Sequence, residues 1–350
     1  CFFLNIPVCA LLLVMLSHGL KKSPSDWQAF IKADWLGIIG LTVGLSAMTV
    51  VLEEGNRERW FESMHIIALS LLAVAGIALL LFAQKLTQTP IVRLKLLLNP
   101  RFASVIAIVF VVGCGLYCVA FVLPQFLSNI AGFNAQQSGA VMLMSGLPAF
   151  LMMPILPRLI GRVDTRLLVM AGLGCLASSC LLATGLTADS VGDNFTRTQL
   201  LLGLGQVLAM MPLNQASMSC VPAHEAGEAA GIYNMARNLG GSVGLALLGT
   251  FIERRSSFHD DSLRDAVSVQ SVEAQTQLAA SAQGFFAEHG DLAHAQLQAL
   301  GQLAQQIQVQ AQVITYSETF YVLGIALLLC LPLALFLKKP PAGTPLSTGH

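Results

Sequence analysis

Six polar side chains stand inside stretches that are otherwise apolar: Tyr117 and Gln125, Gln206 and Asn214, and Asn234 with Arg237. In hydrocarbon each costs free energy unless it faces a bundle interior or water. They either line a path for a polar or charged solute or form interhelical hydrogen bonds of about 1 kcal/mol each. The stretch NMARNLGGSVG, 234–244, is the densest case. At about 100° per residue, Asn234, Arg237, Gly241 and Gly244 share one helix face, so polar groups stand beside small residues that let another backbone approach. Gly240, Gly241 and Gly244 therefore read as helix-packing positions, and Arg237 points into the bundle. Arg237 lies roughly 9 Å along the helix from its start, shallow enough to snorkel. An anchor and a substrate or gating role both remain open for it.

Other chemistry finds little footing. His259 with Asp260 and Asp261 offers metal ligands, but an exposed polar turn fits that sequence as well. The eight cysteines lie in or beside apolar runs and read as small buried hydrophobes. Cys114 and Cys118 are one helical turn apart without a His or acidic companion, a poor metal site. GLGCLA from Gly172 and GLGQVL from Gly203 echo a dinucleotide fingerprint but lack the strand that must precede it. HExxH and paired intramembrane carboxylates do not occur, and no Asp or Glu falls at the middle of an apolar run. The reading assigns no catalytic, cofactor-binding or metal residue, and no cofactor.

The elements that must hold these side chains are membrane helices. Hydrophobic residues make up 55% of the chain and charged residues 11%, where a soluble domain carries roughly a quarter charged. The 19 Lys and Arg balance 19 Asp and Glu, so no basic excess points to nucleic acid. With about 20 residues per crossing, the chain divides into the end of one helix at Phe2–Leu16 and eight complete spans. These lie near Trp35–Leu52, His65–Ala83, Ser104–Leu127, Ser138–Ile160, Leu167–Leu186, Thr198–Ser217, Gly231–Ile252 and Thr319–Leu337. Pro124, Pro148, Pro154, Pro157 and Pro212 fall inside them and predict kinked or broken helices, which membranes tolerate around cavities. Alternate short connections carry twelve Lys and Arg, among them Lys21, Lys22, Lys32, Lys85, Arg93, Arg158 and Lys338, against three on the other side, Arg57, Arg59 and Arg197. The positive-inside rule then places the C-terminus in the cytoplasm.

The polar insertion 253–315 falls on the outer side as a long loop that closes in a Gln/Ala-rich helix running into the last span. Residues 338–350, KKPPAGTPLSTGH, read as a disordered cytoplasmic tail. The opening CFFLNIPVCALLLVML has no Met, charged n-region or cleavage site, so it reads as part of a longer chain rather than a signal peptide.

Several segments carry a family likeness: FFLNIPVCALLL, DWLGIIGLTVGLSAMTVVLEEG, NPRFASV, YCVAFVLPQFL, AGEAAGIYNMARNLGGSVGLALLGTF and YSETFYVLGIALLL. In collinear order over nearly the whole chain they resemble the EmrB/QacA-type branch of the major facilitator superfamily, fourteen-helix drug:proton antiporters. The resemblance implies an all-α integral membrane protein with the major facilitator fold. Residues 1–16 would end one transmembrane helix, 17–98 hold two linking helices, and 99–337 form the C-terminal six-helix half. LPRLIGRVDTRLL is similar to a degenerate form of the superfamily's basic loop, which implies a conformational role for Arg158, Arg162, Asp164 and Arg166; a purely topological role for these charges stays open. The implied function is multidrug efflux by proton antiport in the inner membrane. Its partners would be the lipid bilayer, a lipophilic small-molecule substrate, protons and a periplasmic adaptor protein, with no nucleic acid. Two alternatives stand beside it: a non-transporting half-module that needs a separate N-terminal chain, and a transporter whose cargo is a siderophore, sugar or amino-acid derivative.

Overall fold

The computed structural model describes residues 5–19, 34–87, 92–185, 187, 190, 192–266, 272–289 and 291–337. Lys21, Lys22, Lys32 and Lys338 of the charge count lie outside these, as does the 338–350 tail. Twelve α-helices and short 3-10 turns account for the described secondary structure, with no strand among the described residues. We number the helices α1 (Asn5–Gly19), α2 (Trp35–Glu54), α3 (Met64–Leu86), α4 (Pro100–Asn129), α5 (Ala135–Leu143), α6 (Gly146–Met152) and α7 (Leu156–Ile160). They continue with α8 (Thr165–Ala183), α9 (Gly192–Ser219), α10 (Ala226–Ala266), α11 (Val272–His289) and α12 (Leu292–Leu329).

Local chemistry sets many of the boundaries. Asp34 caps α2 by accepting from the Gly37 amide at 2.8 Å, and Asn99 caps α4 ahead of Pro100 at the first helical position, where a missing N–H costs nothing. Asn134 and Gln137 form a reciprocal capping box at the start of α5, each satisfying a donor the helix cannot. Among the described residues five stretches are long and apolar enough to cross a membrane: α2, α3, α4, α8 and Ala293–Leu335, which contains most of α12.

The prolines act in two ways. Pro124 and Pro212 sit inside helices that continue through them, α4 and α9. The 138–160 stretch, expected as one span, instead divides into α5, α6 and α7, with breaks at Met144–Ser145 and at Met153–Ile155. At the first break α9 comes so close that a Cβ on Gly203 would run into the Ser145 carbonyl. The 253–315 stretch also differs from the expected loop, because its described residues are helical apart from Asp291, the cap of α12. α10 runs unbroken through His259, Asp260 and Asp261, placing them on a helix rather than in a turn, and α12 carries the Gln/Ala-rich segment directly into the last apolar run.

α4 is the hub of the bundle and touches α9, α10 and α12; α8 packs on α9 and α12, and α11 lies along α12. One continuous core joins them, with Phe102, Val109, Phe126, Leu173, Phe195, Leu213 and Phe320 fully or almost fully buried. α2 and α3 form a hairpin whose backbones nearly touch at Gly44 and Gly76, and α2 leans on α10. α1 buries none of its residues.

Candidate functional site

α10 has two unlike sides, and the glycines divide them. On the packed side a Cβ on Gly240 would collide with the Phe110 carbonyl of α4, one on Gly241 would come within 2.5 Å of the Tyr117 ring, and one on Gly244 within 2.6 Å of Cys114 Sγ. α4 answers with Gly113, where a Cβ would strike the Arg237 carbonyl. The two helices thus meet backbone to backbone, the contact small residues permit in membranes. On the open side a side chain added at Gly227 or Gly231 would meet nothing within 4 Å, and Asn234 and Asn238 are exposed.

Asn234, Asn238 and Ser242 recur every fourth residue and form a polar stripe along α10. Asn234 Nδ2 donates to the Ala230 carbonyl at 3.0 Å, within its own helix. Tyr117 crosses from α4, and its hydroxyl donates to Asn238 Oδ1 at 3.0 Å. Tyr117 therefore packs its ring on Gly241 while tying its hydroxyl to the stripe. Ser242, only 2% exposed, donates its hydroxyl to Glu53 Oε1 of α2 at 3.2 Å. Two elements thus reach α10 along one line.

The other candidate residues scatter. Arg237 is half-buried, and its buried Nε has no hydrogen-bond partner. Gln125 turns to α12, accepting from the Tyr316 hydroxyl at 3.5 Å, so it ties helices together away from the stripe. Gln206 of α9 is exposed and Asn214 half-buried. In the 158–166 stretch, Arg158 Nη1 donates to the Pro154 carbonyl at 2.8 Å and Arg162 is exposed. Asp164 caps α8 by accepting from the Arg166 amide at 3.1 Å, and Arg166 Nε is buried without a partner. No ion pair joins these four residues to one another.

Sequence reasoning missed three contacts, because each joins residues far apart in the chain. Glu53 reaches Ser242, although no carboxylate sits mid-run in sequence. Arg93, just before α4, pairs with Glu225 at 2.7 Å and lies 3.3 Å from Glu228 at the start of α10. At the opposite end of the bundle, Arg255 of α10 grips both oxygens of Glu318 on α12, each at 2.6 Å, and His259 adds a third contact at 3.0 Å. The only sequence signal for any of these was a charged residue at the edge of an apolar run.

Long apolar helices wrapped around close glycine contacts, with polar groups aligned on an open helix side, define a multi-pass all-α membrane protein. Its family follows from comparison: the Major Facilitator Superfamily model matches residues 1–245, and the chain belongs to that superfamily. The colistin resistance protein EmrB of Acinetobacter baumannii is 26% identical over 348 residues, covering 97% of this chain and 65% of that protein. The multidrug export protein EmrB of Escherichia coli K12 is 27% identical over 353 residues, covering 98% of this chain and 65% of that protein. The multidrug resistance protein Stp of Mycobacterium tuberculosis H37Rv is 27% identical over 256 residues, covering 72% and 46%. The chain therefore spans about two thirds of the length of the first two relatives.

Proposed function

We propose that residues 99–337 form the C-terminal six-helix half of a proton-driven multidrug exporter, with α2 and α3 as helices linking it to a preceding half. The protein exchanges a lipophilic compound for protons across the inner membrane by alternating access, with the path at the interface of the two halves. The carrying observation is the open side of α10, where Asn234 and Asn238 are exposed while Tyr117 holds the stripe from α4. Relatives named for multidrug export support the cargo class.

Under this reading the end with Arg93 and Glu225 is cytoplasmic and the end with Arg255 and Glu318 faces outward. α5–α7, α9 and the Gly231–Ile252 part of α10 each complete a crossing, giving the eight spans expected from the sequence. The C-terminus lies in the cytoplasm, and the described helices of the 253–315 segment stand on the outer side, where an adaptor protein would meet them.

The test expresses the complete reading frame containing this sequence in cells stripped of their own exporters. The expected outcome is faster energy-dependent loss of a lipophilic dye and acidification-driven dye uptake into inverted vesicles. Correctly inserted protein that moves neither dye nor protons would sink the reading.

A further inference from the structure

The stripe on α10 does not end within the six-helix half. Asn238 is followed one turn later by Ser242, about 6 Å further along the axis, and the side chain that meets Ser242 comes from α2. A second contact fixes the register of α2 on α10. Beyond it, Thr250 donates to Asn56 Oδ1 at 3.2 Å, and a Cβ on Gly249 would come within 3.2 Å of the Asn56 amide nitrogen. The turn that ends α2 is tight: the Trp60 amide donates to the Gly55 carbonyl at 2.6 Å. Arg59 and Trp60 both take the left-handed conformation, at φ 54° and 53°. Glu53 is thereby held alongside the apolar part of α10 rather than beyond its end.

Its charge has no answer there. Among the described residues no Lys, Arg or His pairs with Glu53, whereas its neighbour Glu54 pairs with Arg57 at 3.1 Å. One oxygen accepts from a neutral hydroxyl. Glu53 is exposed on the bundle surface, and with lipid around that surface a carboxylate beside an apolar span is expensive unless it finds a cation or a proton; a neutral donor supplies neither. The hydroxyl does orient the group, which suits a site whose counter-charge arrives with the solute.

We propose that Glu53 is a cation-recognising residue of the transport path, contributed by the linking helix pair and positioned by Ser242. The ligand class is a lipophilic organic cation, whose charge meets Glu53 while its apolar body lies against the stripe. The inference rests on the exporter reading, so the test separates the two by measuring binding as well as transport.

The complete protein is purified and reconstituted as wild type, Glu53→Gln, Glu53→Asp and Ser242→Ala, with tetraphenylphosphonium as the cationic probe and an uncharged aromatic compound of similar size as control. Glu53→Gln keeps an acceptor for Ser242 and removes only the charge. The expected result is at least a tenfold weaker Kd and higher KM for the cation in Glu53→Gln, less than a twofold change for the uncharged probe, and retention in Glu53→Asp. Ser242→Ala gives an intermediate loss. Unchanged cation binding in Glu53→Gln would overturn the proposal and leave Glu53 a strut between α2 and α10. Equal loss for both probes would overturn it as well. Wild type that binds the cation with a Glu53-dependent Kd but transports nothing would refute the exporter reading and keep the site. Wild type that binds no cation would refute Glu53 as a cation site whatever it transports.

Discussion

Arg237 combines a half-buried guanidinium, an unpartnered Nε and a backbone pressed against Gly113. A guanidinium carries five donors and stays charged, so leaving a buried N–H unpaired in a folded bundle costs on the order of 1–3 kcal/mol. Such a group is poised for a partner supplied by another conformation or by solute. Arg237→Ala should therefore cut the dye-export rate at least tenfold while the protein still inserts. Arg158, whose Nη1 is used on the Pro154 carbonyl just before its helix, should tolerate Ala with normal expression and near-normal export. Full activity in Arg237→Ala would reduce that residue to an anchor. Asn234 tells a plainer story: its amide is spent within its own helix, so Asn234→Ala is expected to change export less than Tyr117→Phe, which removes the only hydroxyl reaching Asn238. Paired export assays on those two variants decide it.

Helix contacts follow simple rules here. The α4–α10 seam depends on the absence of side chains at Gly113, Gly240 and Gly244, and a larger residue there must push two backbones apart. Gly240→Leu should destabilise the protein by about 1–3 kcal/mol or more, read as a lower thermal midpoint in detergent. Gly227→Leu, on the open side, should leave stability unchanged and block transport instead. That contrast between glycines of one helix was only partly legible in the sequence. The small-residue spacing announced a packing seam, and the structure meets it with α4. Nothing local announced which glycines face open space, because that depends on which neighbour covers which side.

The same limit explains the other differences. Apolar length showed that 138–160 belongs with the bundle, while the three-way break reflects Pro148, Pro154 and Pro157 together with the close approach of Gly203 to Ser145. Polarity marked 253–315 as outside the apolar runs, yet polar residues of good helix propensity such as Gln and Glu, interspersed with Ala, build helices as readily as loops. Glu53 stayed hidden because 189 residues separate it from Ser242. A periodicity argument sees one helix at a time.

At the scale of the whole molecule, two charged clasps close opposite ends of the bundle. Arg93 joins the segment before α4 to the start of α10, and Arg255 with His259 joins α10 to α12. Shortly before Glu225 in the chain, the Cys220 carbonyl accepts from Asn99 Nδ2 at 3.4 Å. Burial pushes the Cys220 thiol above its ordinary value, opposed by the Arg101 charge, so little reactive thiolate is present at neutral pH. Arg93→Ala should loosen that end, expose the thiol, let its pKa fall back and speed alkylation of Cys220 several-fold. An unchanged labelling rate would mean that the clasp does not hold this end shut. At the other end, Glu318→Gln should weaken the α10–α12 contact and make 253–315 more sensitive to protease.

α10 runs 41 residues without a break, about 61 Å at 1.5 Å per residue, from the Glu225 clasp past the stripe to a tip well beyond Ile252. A rod of that length is a lever. A tilt of about 10° at its base would carry the tip sideways by roughly 11 Å on this length, so a shift of about 3 Å around Asn238 becomes a several-fold larger displacement that a pair of spin labels near Asp265 and on α3 would resolve. The far end of α10 is in effect the pointer of a gauge whose scale lies among the apolar spans.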